Sequence, residues 1–207
     1  MEYLLLLLVF LTGCGKDTEI VERVVEVPAA VTTTSETVKI VQEENAYRKA
    51  AGQQPLTEGL ACTLHNVAAT TPSTIPNSLP SAVATFILNA SFNVVDSSTS
   101  SGLPLLPDAL KATYKTQYVL KCQGSVIIET SDYALFEVIS DDGSKLYIDG
   151  SLLVDNDGLH SSQSRSASRL LKRGVHTFRI DYLQANGNQS LIVKMNGSVI
   201  SSTSFYR

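Results

Sequence analysis

Charge is sparse in this sequence and is nowhere concentrated in one sign: 17% of the 207 residues are charged, and the formal net charge is -4. No long basic run and no basic-aromatic alternation occurs, so nucleic acid held through its phosphates is excluded as a partner. Catalytic signatures are also missing. There is no G-x-S-x-G, no H-E-x-x-H and no free Cys-His pair, and the three histidines, His65, His160 and His176, are scattered. The chain is therefore not expected to be an enzyme. No internal repeat is evident, and the length suits one good core with a short appendage. Cysteine is scarce, at three residues. No apolar run reaches the roughly 20 residues that a transmembrane helix needs.

What is present begins with MEYLLLLLVFLTGC. Its apolar stretch is too short to span a bilayer but fits the h-region of a secretory signal. Small residues, Thr12 and Gly13, directly before Cys14 resemble the lipobox of bacterial lipoproteins. That resemblance implies a signal peptide over 1–13, diacylglycerol on the Cys14 sulfur and an acylated new amino terminus. It also implies a lipid-anchored place in the bacterial cell envelope. Gly15, rather than Asp, after the cysteine points to the outer membrane. The n-region, Met1-Glu2-Tyr3, departs from the pattern in having no Lys or Arg. Two or three acyl chains make a stable anchor, each buried methylene contributing ~0.8 kcal/mol, so the protein is tethered to the membrane rather than spanning it. With Cys14 assigned to lipid, Cys62 and Cys122 form an even pair, and outside the cytoplasm such a pair reads as a disulfide. Closing a loop of about 60 residues would restrict the unfolded chain by roughly 4 kcal/mol. Two buried free thiols are the alternative.

Residues 14–34, mixed in charge and threonine-rich, read as a lipidated tether. Thr33-Thr34-Ser35-Glu36 has the spacing of a capping box, and Gly52 suits a C-terminal cap, so a helix is expected over 35–52. Its stripe of Val38, Ile40, Val41 and Tyr47 is rough, and packing against the domain is the preferred role. From 59 to 207 the pattern changes to short β-branched or alternating runs, among them ACTLH, TFILNASFNVV, ATYKTQYVLKC, YALFEVIS and VHTFRIDYL, set between turn residues. This is an all-β pattern, a sandwich or a barrel. Over 175–183 one face (Val175, Thr177, Arg179, Asp181, Leu183) reads as mostly wet and the other (His176, Phe178, Ile180, Tyr182) as dry. The Ser-Thr-Pro stretches at 69–82 and 96–107 are expected to be long loops.

One stretch stands apart: SDDGSKLYIDG over 140–150 sets Asp141 beside Asp142. A solvated turn, a paired acid and base, or a cation site would each account for adjacent carboxylates. Glycosidase carboxylates sit ~5 to 9.5 Å apart on opposite sides of a sugar, which neighbours on one loop rarely achieve. The wider pattern FEVISDDGSKLYIDGSLLVDNDGLH, followed after an interval by LLKRGVHTFRIDYLQANGNQSLIVKM, resembles the protective-antigen (PA14) domain family. The match is dense over 136–195 and weaker across 59–207. It implies an antiparallel β-sandwich with loops gathered at one end. In fungal adhesin members of that family, adjacent aspartates joined by a cis peptide bond chelate calcium, and the ion in turn binds sugar hydroxyls. Calcium takes six to eight oxygens at ~2.3 to 2.6 Å, so two pre-positioned carboxylates suit it.

Carried onto this chain, the resemblance makes Asp141 and Asp142 calcium ligands and glycan contacts. The adhesins' asparagine falls at Gln184 here, with Asn186 as a further metal candidate and Asn188 as a further ligand-binding one. The competing reading makes Asp141 a turn cap and gives Gly143 a left-handed conformation. Asp149-Gly150 reads as a type I′ hairpin turn, and Asp155-Asn156-Asp157-Gly158 as turn and hydrogen-bonding structure. His160 and His176 stand where the family has histidine and are expected to be structural. The sequons at Asn89, Asn188 and Asn196 carry no weight in a bacterial lipoprotein.

The expected function is an envelope lipoprotein that binds a glycan or polysaccharide through calcium, as an adhesion module. The alternative is a structural lipoprotein that contacts another envelope protein, with Asp-Asp-Gly only a turn. An accessory subunit of a separate hydrolase is a third possibility.

Overall fold

The computed structural model describes residues 35–207. The expected signal peptide (1–13), lipid site Cys14 and tether (14–34) lie outside the described residues. Among the described residues, no helix is long and apolar enough to cross a membrane.

Two antiparallel sheets pack face to face, preceded by a short helix, α1 (Glu36–Ala50). The larger sheet contains β1 (Leu60–Asn66), β2 (Ala84–Leu88), β4 (Tyr118–Ile128), β6 (Ser144–Ile148), β7 (Ser151–Asn156) and β9 (Gly174–Gln184), in the order β2-β1-β4-β9-β6-β7. A terminal strand, β12 (Phe205–Tyr206), also pairs with β4. The smaller sheet has β5 (Asp132–Asp141), β8 (Gln163–Leu171), β10 (Asn188–Met195) and β11 (Ser198–Val199) in the order β11-β10-β5-β8, with β3 (Asn93–Ser98) also on β10. This is the expected all-β sandwich with a short leading helix.

Period-two alternation builds the core, because successive side chains on a strand face opposite ways. Phe178, Ile180 and Tyr182 of β9 point between the sheets and are buried. Phe178 lies 4.9 Å from Phe205, which in turn lies 5.7 Å from Phe92. Each such aromatic pair adds about 0.5–1.5 kcal/mol beyond area burial. Cys62 and Cys122 are register partners on β1 and β4, and they form the disulfide.

The outer face of β9 is less wet than the alternation suggests. At one end Val175 packs with Ile127 and with Ile40 of α1; at the other Leu183 packs with Val119 and with Val67 and Ile75 of the 67–80 loop. Apolar residues at both ends of a polar face find covers there, and the middle stays open. Helix α1 is held down by Arg173, which pairs with Glu36 at 2.7 Å and Glu43 at 2.8 Å. Only Ile40 of its expected stripe is buried, while Tyr47 is exposed.

Three local readings need correction. The run TFILNASFNVV is not one strand: β2 and β3 lie in different sheets, separated at Asn89-Ala90-Ser91, with Phe92 buried beside the crossing. The start of ATYKTQYVLKC is not strand either, because Ala112 and Thr113 close a helix, α2 (Asp108–Thr113), that follows Pro107. The 96–107 stretch is no free loop. It includes the end of β3 and a 3₁₀ turn, and it sinks Leu103 and Leu106 into the core. One strand was not anticipated: β8, QSRSASRLL, has no clean apolar alternation. As an edge strand it draws its order from the ladder with β5, which runs from Asp132↔Leu171 to Ser140↔Gln163.

Candidate functional site

At one end of the sandwich three short connections cross between sheets, β5 to β6, β7 to β8, and β9 to β10, and the longer 99–117 connection from β3 to β4 crosses there too. Asp141 ends β5, and Asp142 and Gly143 form the first crossing. The β6–β7 hairpin at the opposite end turns through Asp149 (φ 51°) and Gly150 (φ 72°), the all-positive pair that a type I′ turn requires.

Gly143 is needed for closeness rather than for handedness. It is absent from the positive-φ glycines, which corrects the left-handed expectation. A Cβ placed there would stand 2.8 Å from Asp157 Oδ1 and from both N and O of Gly158. The first two crossings therefore touch backbone to backbone.

Asp141 and Asp142 are each 6% exposed, and the peptide bond between them is cis. Asp142 Oδ2 accepts from the Ala185 N–H at 2.8 Å and the Asn186 N–H at 3.4 Å, tying the first crossing to the third. Burial first, then the Asp142 charge and then Asp96 push the Asp141 carboxyl up to about 6, against the opposing pull of His160 and a Ser162 backbone hydrogen bond. Neither carboxylate forms an ion pair with Lys, Arg or His among the described residues. Two adjacent buried carboxylates without a counter-charge can both ionise only at a cost, and a proton or a cation relieves it.

The donor set present is all oxygen, which fits calcium. No group of three or more His, Cys, Asp or Glu residues suited to a metal occurs among the described residues. Further ligands would have to be amide, hydroxyl, main-chain or water oxygens. Asn186 and Asn188 are exposed on the third crossing. Gln184 is fully buried and engaged on both sides of its amide. Its oxygen accepts from the Tyr182 hydroxyl, and its NH₂ donates to the Asn188 carbonyl at 2.9 Å and the Asn186 carbonyl at 3.3 Å. The same Tyr182 hydroxyl is 2.5 Å from the Asp141 carbonyl oxygen. Gln184 thus acts as a strut that shapes the 185–188 crossing.

A buried polar network backs the pair. Asn156 donates to Ser140 Oγ at 2.9 Å and to the Gln163 carbonyl at 3.1 Å, and accepts from Gln163 Nε2 at 2.9 Å. Ser140 and Ser144 hydroxyls lie 2.7 Å apart. Asp157 binds Lys145 Nζ at 2.6 Å and accepts from the Ile75 N–H at 2.9 Å, fastening the 67–80 loop. The 155–158 turn is therefore hydrogen-bonding structure.

The ring nitrogens of His160 meet the Asn156 and Ser161 carbonyls, and those of His176 meet Asp149 and the Lys172 carbonyl. Asp96 on β3 was not foreseen beside the pair. It is 45 positions upstream of Asp141, and no local pattern marks it.

The PA14 domain model matches residues 109–204. The PA14 domain of the MpAFP antifreeze protein superposes with a TM-score of 0.59 at 18% identity, over 74% of this chain and 92% of that one. A PA14 sugar-binding domain from an RTX adhesin gives 0.54 at 17% identity, over 72% of this chain and 98% of that one. Epithelial Adhesin 6 A domain from Candida glabrata, in complex with Galβ1-3GlcNAc, gives 0.52 at 15% identity, over 74% and 88%. These likenesses establish the fold. No curated protein matches the chain.

Proposed function

We propose that this chain, which the PA14 domain model matches over 109–204, is a PA14-type, non-enzymatic carbohydrate-binding adhesion module, displayed on the bacterial cell envelope by a lipid on Cys14. Calcium held by Asp141 and Asp142 is the bridge to sugar hydroxyls, and Asn186 and Asn188 on the neighbouring crossing supply further oxygens. The carrying observation is the buried carboxylate pair with no cationic partner among the described residues. When bound, the ion supplies positive charge and open coordination positions for hydroxyl oxygens. The protein's own part is to hold the two carboxylates rigid: Asp142 is fixed by two main-chain N–H groups and the crossing by Gln184.

The test is calorimetric titration of calcium into the protein and into Asp141→Asn/Asp142→Asn, followed by a glycan screen with calcium or with EGTA. Heat in the wild type that vanishes in the double variant supports the reading. No heat from a folded wild type overturns it.

That second outcome would favour the other reading, a lipoprotein that contacts an envelope protein. One observation supports it: Tyr133 (67% exposed) and Leu170 (62% exposed) are register partners on the outer face of the smaller sheet, with Leu135 close by.

A further inference from the structure

The outer face of the larger sheet carries a trough that begins at the aspartate end of the sandwich and runs toward α1. Its walls are the two covers already described, α1 at one end of β9 and the 67–80 loop at the other. Between them two rows of side chains form the floor. Lys121, Asp181 and Lys145 stand side by side on β4, β9 and β6, and Gln123, Arg179 and Tyr147 form the next row. Three neighbouring hollows lie above them. A hollow of about 420 Å³ lined by Gln123, Tyr147, Arg179 and Arg207 shares Gln123 with a neighbour of about 290 Å³. That neighbour shares Lys121 with a third hollow, of about 160 Å³, which also reaches Lys145 and Asp181.

Charge in this trough runs against the composition. Four cations, Lys121, Lys145, Arg179 and Arg207, and one carboxylate, Asp181, line its hollows, with Asp155 and Asp157 against Lys145 at the edge, on a chain of net charge -4. Lys145 is neutralised by Asp157 at 2.6 Å and Arg179 by Asp181 at 3.0 Å. Lys121 and Arg207 have no ion-pair partner among the described residues. Lys121 and Lys145 are two strand spacings apart, about 10 Å.

The chemistry on offer narrows the occupant. Main-chain groups of this face are spent in the ladder, so an acidic peptide finds no strand edge to extend. The one floor aromatic, Tyr147, has the Arg179 guanidinium 3.7 Å over its ring, so it offers no bare stacking platform of the kind that single-stranded nucleic acid uses. What remains is amide and hydroxyl groups between spaced cations, which suits a ligand dense in hydroxyls and carrying carboxylates at intervals.

We propose that this trough is a second, calcium-independent binding site for an acidic oligosaccharide of the uronic-acid type. It does not depend on the aspartate site, and the test separates the two. The full chain is titrated in EGTA with an oligogalacturonate and with its methyl ester, which has the same hydroxyls and no charge. Binding of the acid alone, weakened by salt and reduced about tenfold in Lys121→Ser/Arg207→Ser, is expected. Asp141→Asn/Asp142→Asn should bind the acid as the wild type does. Equal binding of the methyl ester, no binding of the acid, or loss of binding in the aspartate variant would each overturn the assignment. The comparison of acid with ester needs only the wild type, so it stands even if the trough variant fails to fold.

Discussion

Burial and the adjacent Asp142 charge hold Asp141 at about 6, raised from 3.8. A raised folded-state value means that the folded protein holds a proton which the unfolded chain releases between these two values. The stability from this residue is fully present below the unfolded value and is lost as pH rises through the folded one. A rise of that size corresponds to about 3 kcal/mol for a carboxyl cut off from water, and water at this end of the sandwich screens it to roughly 1–2 kcal/mol. In EGTA, the wild type should therefore lose about 1–2 kcal/mol relative to Asp141→Asn between about pH 4 and pH 7, as read by urea unfolding. Parallel stabilities across that range would show that the pair is better solvated than its burial implies. Asn156 and Gln184 also hold this end of the molecule; the sequence set Asn156 in a hydrogen-bonding turn and Gln184 at a ligand position, and did not show that each is a strut. An amide becomes a strut only when the fold sets donors and acceptors around it, Ser140 and Gln163 for Asn156, Tyr182 and the Asn188 carbonyl for Gln184.

The β1–β4 pairing is an interior seam of the larger sheet, and the disulfide lies within it at Cys62↔Cys122. The bond joins residues 60 apart, so removing it frees the unfolded chain over that length. Cys62→Ala/Cys122→Ala should lower stability by about 4 kcal/mol, read from the urea midpoint at an unchanged fold. A loss under about 1 kcal/mol would mean that the ladder already restrains the unfolded ensemble. Elements with strong alternation, β9 above all, were legible because each carries its own instruction about which face is buried. β8 was not, because Ser and Arg state no preference and its order is conferred by β5. The split of β2 from β3 was hidden for a related reason. Two apolar runs with a short polar gap look alike whether they stay in one sheet or change sheets.

Across the described domain, β9 runs from one end of the sandwich to the other. Its first residues lie beneath α1, the element that the expected tether would lead into, and its last lie beside the aspartate pair. Eleven residues of strand set these ends about 35 Å apart. Calcium binding to the folded state alone should stabilise all of the domain by mass action, about 2.7 kcal/mol at a free concentration of a hundred times Kd. For a chain of this size that corresponds to a rise in Tm of roughly 5–11 °C. Calorimetric melts with calcium and with EGTA should show the rise in the wild type and none in Asp141→Asn/Asp142→Asn. Equal melting temperatures in saturating calcium would mean that no ion is held.

The sequence alone determined the all-β class, the leading helix and the place of the Asp141-Asp142 turn, and it favoured a Cys62–Cys122 disulfide over two buried thiols. Each of these follows from local periodicity, from parity of a few residues or from a short motif, and none depends on distant partners. Tertiary structure alone decided that Gly143 is required by the approach of Gly158, that Asp96 and His160 stand around Asp141, and that a wet-looking strand face is roofed at both ends to leave a basic trough. These depend on which strands cross between sheets and which loops fold back over them. Side chains far apart in the chain become neighbours only when the two sheets close on one core.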